Sequence, residues 1–153
     1  GADWHFSAAE RLKGFRDGLA SLGVPVREEF VVIEDYSIEG GYRGATRICA
    51  MRERPTAVLV CNYFMNLGAM VAFHEHNVLI GRDMSLVSFD EIQANKAFRP
   101  AVTTVCQSLE AIGCTAAERI LLRAANPGIP PLIIRVPATL IKRDSVAALC
   151  PGG

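Results

Sequence analysis

Apolar positions along this chain recur in two alternating rhythms. Over residues 7–22, Leu12, Phe15, Leu19 and Leu22 fall on one helical stripe, Ser7 and Glu10 have capping-box spacing, and Gly23 and Pro25 are stop signals. Residues 30–34 (FVVIE) form a short, nearly continuous apolar run, as in a strand buried on both faces of a parallel sheet. Ser37 suits the N-cap of a helix that turns Tyr42, Ala45 and Ile48/Cys49 inward. Pro55 resets the chain before a second buried strand at 57–61 (AVLVC), a helix over about 64–76 and a third strand at 85–89 (SLVSF). Residues 90–100 read as a polar loop, 102–105 as a short extended piece, and 108–124 as a helix amphipathic through Leu109, Ile112, Ala116 and Ile120. A turn cluster, Asn126-Pro-Gly-Ile-Pro-Pro, precedes a last strand at 132–141, and 147–153 reads as a disordered tail.

Strands separated by helical patterns form βαβ units, so the expected fold is α/β with a mostly parallel sheet and right-handed crossovers. No strand pattern precedes the first helix, a half-unit expected of a piece of a longer protein.

The 153 residues suit one domain with a sizeable core. With 16 basic and 16 acidic side chains, the chain lacks the electrostatic footprint of a self-sufficient nucleic-acid or acidic-membrane binder. No apolar run approaches the ~20 residues of a membrane helix, and Asp3, His5, Glu10 and Arg11 interrupt any secretory h-region. Five cysteines without a Cys-x-x-Cys pair fit neither a zinc site nor a disulfide framework. Cys49, Cys61, Cys106 and Cys114 sit in apolar or helical runs and read as buried thiols in a reducing, cytoplasmic compartment; Cys150 lies in the tail.

In open α/β sheets, ligands bind beyond the carboxyl ends of the strands. The residues there are Asp35-Tyr36, Asn62-Tyr63 and Asp90-Glu91: carboxylates, an amide and aromatic rings, as a polyhydroxylated ligand requires. The same carboxylates also suit loop positions and helix caps. Arg11, in the first helix, reads either as a surface residue or as a fork aimed over the strand ends. No catalytic constellation emerges. His5, His74 and His76 are scattered, Cys61 lacks a nucleophile-elbow pattern, and the glycines of 40–44 lack phosphate-loop spacing. No cofactor or metal is implied.

Seven segments nevertheless occur in a familiar order. They are Ser7-x3-Arg11-Leu-x-Gly14-Phe15; Asp35-Tyr36-Ser37 with Gly41-Tyr42; Arg54-Pro55-Thr56-Ala57-Val58; and Asn62-x2-Met65-x2-Gly68-Ala69. Then come Asp83-x-Ser85-Leu86-Val87-x-Phe89-Asp90, Pro100-x-Val102-Thr103-Thr104-Val105-x-Gln107, and Pro137-x2-Leu140-x2-Arg143-x-Ser145. This order resembles the C-terminal part of the effector-binding domain in lac-repressor/gal-repressor family transcription regulators, over residues 1–146. The resemblance implies a Rossmann-like, parallel-sheet lobe of a periplasmic-binding-protein-like fold, incomplete because the first lobe and the helix-turn-helix are absent. It implies a small-molecule effector, a sugar or sugar acid, contacted by Arg11, Tyr36, Asn62, Asp90 and Gln107. It also implies a homodimer through Leu67, Met70, Val71 and Phe98, with operator DNA reached only through the missing N-terminal domain. Phe98 reads alternatively as a loop anchor on its own sheet. A periplasmic solute-binding protein of a transporter shares the fold and is the alternative function. Three residues depart from the family pattern: Tyr63 where an Asp is usual, Ser88 for Gly and Asn66 for a small residue. Tyr63 is able to reshape the pocket away from an ordinary hexose.

Overall fold

A computed structural model describes residues 6–148; Trp4, His5, Cys150 and the tail beyond 148 lie outside the described residues. The sheet has the order β1-β2-β3-β4, with β1 (Ala57–Val60), β2 (Ser85–Phe89) and β3 (Thr103–Gln107) parallel and β4 (Ala138–Ile141) antiparallel to β3. Parallel pairing needs crossovers, and helices supply them: α3 (Tyr63–Glu75) joins β1 to β2, and the one-turn-plus α4 (Gln93–Ala97) joins β2 to β3. Helix α4 lies in the stretch expected to be a polar loop; its buried Asn95 gives that stretch an anchor that apolar periodicity does not reveal.

The core lies between this sheet and the pair formed by α2 (Ile38–Cys49) and α3. Ala45, Ile48, Met65, Ala69, Ala72 and Phe73 meet Val60, Leu86 and Val102 there. The two helices touch backbone to backbone: a Cβ at Gly41 would overlap the Met65 main chain, and one at Gly68 the Ile38 carbonyl. Ser37 caps α2 as expected, accepting from Gly40 N–H (2.8 Å), while Tyr42 turns partly outward and donates to Glu75 (2.6 Å). Ser145, fully buried, stitches strands together by donating to Leu86 O (2.6 Å) and accepting from Thr103 N–H (2.8 Å). The chain stays tied as far as Ala147, whose N–H donates to Ser85 Oγ (3.1 Å).

Several expectations need correction. The run at 30–34 is not a strand: Glu28–Phe30 is a 3-10 turn, and residues 31–35 make no ladder with any described strand. Instead an apolar groove of about 260 Å³ separates Val31, Val32 and Ile33 from the outer edge of β1, roofed by Leu12 and Phe15 of α1 (Phe6–Ser21). The last strand begins only at Ala138; Leu132, Ile133 and Ile134 are exposed and unpaired. Finally, the apolar stripes of α1 and of α5 (Leu109–Ala125) bury no residue completely and leave Cys114 of α5 exposed, while Cys49, Cys61 and Cys106, on other elements, are only half-buried; all four are free thiols. Helix α1 already includes Ser7, which therefore cannot be its N-cap, but its C-terminus closes as read: Gly23 (φ 68°) and Val24 donate to Ala20 O and Leu19 O, both at 3.0 Å.

Candidate functional site

Because β1, β2 and β3 run parallel, their carboxyl ends share one edge, and Asp90 and Gln107 meet on it with Arg11. Asp90 follows β2 in the left-handed region (φ 70°), uncommon for a non-glycine residue. Its N–H donates to Val105 O (3.0 Å), which holds the turn against β3. The Asp90 carboxylate then accepts from Gln107 Nε2 (2.7 Å) at the end of β3 and lies 3.9 Å from an Arg11 guanidinium nitrogen. Arg11 reaches over the strand ends from α1. Its guanidinium stacks over the Phe89 ring (4.4 Å), donates to the Cys61 carbonyl, and leaves only 15% of the side chain exposed. Of its two readings, the one aimed at the strand ends is correct.

Asn62 and Tyr36 form the neighbouring half. The Asn62 side chain caps α3 by accepting from Met65 N–H (2.8 Å) and donates weakly to Tyr36 O (3.5 Å). Asn62 is thus a buried cap whose amide is engaged at both ends. Tyr36 lines the apolar groove next to Arg11 and Cys61. The Cys61 carbonyl links the halves, since Arg11 bonds it one residue before Asn62. Burial raises the Cys61 thiol above its ordinary pKa.

Asp35 does not join them. Ser37 and Arg43 occupy its carboxylate and lower its pKa, with the Ser37 hydrogen bond the larger cause, so it is the helix-start residue of the plainer reading. Tyr63 packs on Phe64 with ring centroids 3.9 Å apart. His74 and His76 are exposed, and no metal-ligand cluster exists among the described residues. Leu67, Met70 and Phe98 are half-buried, the last two against the core, and Val71 is half exposed.

Sequence reasoning missed the supports. Glu91 forms a two-pronged ion pair with Arg143 (2.5 and 2.9 Å) and also accepts from Thr104 Oγ1 (2.6 Å). Arg143, principally, holds the Glu91 carboxyl below its ordinary pKa. Beneath Asp90, Asn66 and Asn95 are both fully buried and hydrogen-bonded to one another (3.2 Å). Asn66 Oδ1 has no partner, a deficit of roughly 1–3 kcal/mol. The one signal available in advance was Asn66 itself, a polar residue on the inner stripe of an otherwise apolar helix.

The chain as a whole is similar to known proteins. The family model described as periplasmic binding protein-like domain matches residues 1–146. The HTH-type transcriptional repressor PurR of Erwinia tasmaniensis is 37% identical over 137 residues, covering 90% of this chain and 40% of that protein. A LacI family transcriptional regulator from Enterococcus faecium with bound ribose superposes at TM-score 0.81 and 26% identity, over 92% of this chain and 52% of its own. The lac repressor dimer bound to operator and the anti-inducer ONPF superposes at 0.79 and 28% identity, over 93% and 49%. The chain therefore spans about half the length of the solved relatives, and less of the curated repressor.

Proposed function

The chain belongs to the periplasmic binding protein-like domain family, in the line that includes the lac-repressor-type regulators, and from that membership we propose that it is the effector-sensing part of a cytoplasmic transcription regulator. The observation that carries this reading is the convergence of Arg11, Asp90 and Gln107 on one sheet edge. A carboxylate accepts from vicinal hydroxyls, a guanidinium donates to ring or acid oxygens, and the Tyr36 ring, which lines the groove with Arg11, suits the apolar face of a sugar. Asp90 is held by both Gln107 and Arg11, so the three polar groups are fixed relative to one another. The ribose-bound relative supports a sugar or sugar acid as the ligand class. All the relatives named above are repressors or regulators, which favours this reading over a transporter's solute-binding protein.

We further propose that the regulator is a homodimer, with Leu67, Met70, Val71 and Phe98 in the association face; half-exposed Val71 and the dimeric state of the operator-bound lac repressor support this. DNA contact belongs to parts of the protein outside this chain, so the chain alone is expected to show no sequence-dependent mobility shift at physiological salt. The deciding experiment is calorimetry of the intact regulator against ribose, cellobiose and sugar acids. Asp90→Ala and Arg11→Ala should each weaken binding at least about tenfold, the loss of one charge-assisted hydrogen bond. Unchanged affinity in both variants would remove the assignment. Sedimentation of Phe98→Ala and Leu67→Glu, both dimeric, would move the interface elsewhere.

A further inference from the structure

Asn66 sits on α3, and Asn95 on α4, and neither exposes any surface. Their amides form a directed chain. Asn66 Nδ2 donates to Asn95 Oδ1 (3.2 Å), and Asn95 Nδ2 donates to the backbone carbonyl of Asp90 (3.0 Å). Asn95 is itself pinned by its main chain, donating to Ile92 O and accepting from Val102 N–H (2.9 Å). Packing alone does not account for two amides here. An apolar side chain of similar volume would fill the same space without leaving Asn66 Oδ1 buried and unpartnered. What the chain of amides serves is one peptide group, that of Asp90, whose left-handed backbone aims the carboxylate at Gln107 and Arg11.

We propose that Asn66 and Asn95 are positioning residues for Asp90, fixing its peptide and tying it to α3, so that a displacement at the sheet edge is felt on the helix that carries Leu67, Met70 and Val71. This rests on the reading of Asp90 as an effector contact. It makes a buried polar relay, not the apolar core, the link between the two ends.

The test needs no effector. In 15N-labelled chain, the Gln107 side-chain amide reports the position of the Asp90 carboxylate, and Asp90→Ala, which removes the acceptor, supplies the released reference. Asn95→Ala should move the Gln107 side-chain signals toward that reference and speed exchange of the Asp90 backbone amide about tenfold, while Ala72 and Leu86 amides keep their wild-type protection. Asn66→Ala, the milder change, should move the same signals in the same direction by a smaller amount. Gln107 signals at wild-type positions in Asn95→Ala would overturn the proposal, showing that the bond to Val105 O alone holds Asp90. Gln107 unmoved in Asn66→Ala would overturn the tie to α3. Equal loss of protection at Ala72 and Leu86 would overturn it too, leaving the pair as ordinary core. None of these outcomes bears on whether a sugar binds, which calorimetry of Asp90→Ala decides separately.

Discussion

Helices α3 and α5 are alike in sequence and opposite in circumstance. Both carry apolar residues at helical spacing and both begin at a capping side chain, Asn62 and Ser108. Helix α3 buries six residues against α2 and the sheet, whereas α5 buries none and exposes Ile120 and Leu121 at 68% and 71%. An apolar stripe states a demand for a partner surface; only the fold shows whether it is met. The difference lies in the neighbours. Gly41 and Gly68 let α2 and α3 close to backbone contact, and α5 has no such facing helix among the described residues.

Substitutions can break or sharpen that contrast. Leu86, fully buried in β2, should cost about 3–4 kcal/mol as Leu86→Ala, read as a lower denaturant midpoint at unchanged m-value. Gly68→Ala should cost about 2–3 kcal/mol because its methyl meets the Ile38 carbonyl, main chain that cannot swing aside. An unchanged melting temperature there would mean that the two helices are not in backbone contact. Glu91→Gln should cost about 1–2 kcal/mol, given the partial solvent screening of its pair with Arg143. Since the Glu91 carboxyl is held below its ordinary value, its contribution is complete above about pH 4.3 and fades as pH falls through the lowered folded value. The wild-type chain should therefore lose stability on acidification more steeply than Glu91→Gln, whose curve should be flatter in that window. Smallest of all, Leu121→Ala in α5 should change stability by no more than about 0.5 kcal/mol. A cost matching that of Leu86 would show that α5 is packed in solution.

The same contrast explains what sequence could deliver. Strand 85–89 and the N-cap at Ser37 were legible because local chemistry dictates them: Leu86, Val87 and Phe89 in a short run ended by Asp90 in one case, a hydroxyl three residues before an unpaired N–H in the other. Asn62 and Asp90 follow β1 and β2, whose parallel topology puts their carboxyl ends on one edge; Tyr36 follows a segment that is not a strand, and Gln107 was reached only through the family resemblance. Residues 30–34 and 132–137 went wrong for a single reason. A strand exists only with a neighbour, and β-propensity carries no information about whether one is present. Glu91 with Arg143, 52 residues apart, was invisible because nothing local marks either as a pair. Arg11 was undecidable until the Phe89 ring and the Cys61 carbonyl came under it.

The groove between Val31–Ile33 and β1 bears on how this chain behaves at the bench. The outer edge of β1 presents free N–H and C=O groups along an apolar wall, with no lysine, proline or bulge within Ala57–Val60 to blunt it. Net charge at neutral pH is zero, so no long-range repulsion holds copies apart. Concentration, more than temperature, should set the working limits of the isolated chain: dilute samples stay clear while concentrated ones scatter light. A lysine at Leu59, facing that groove, should raise the concentration at which turbidity begins.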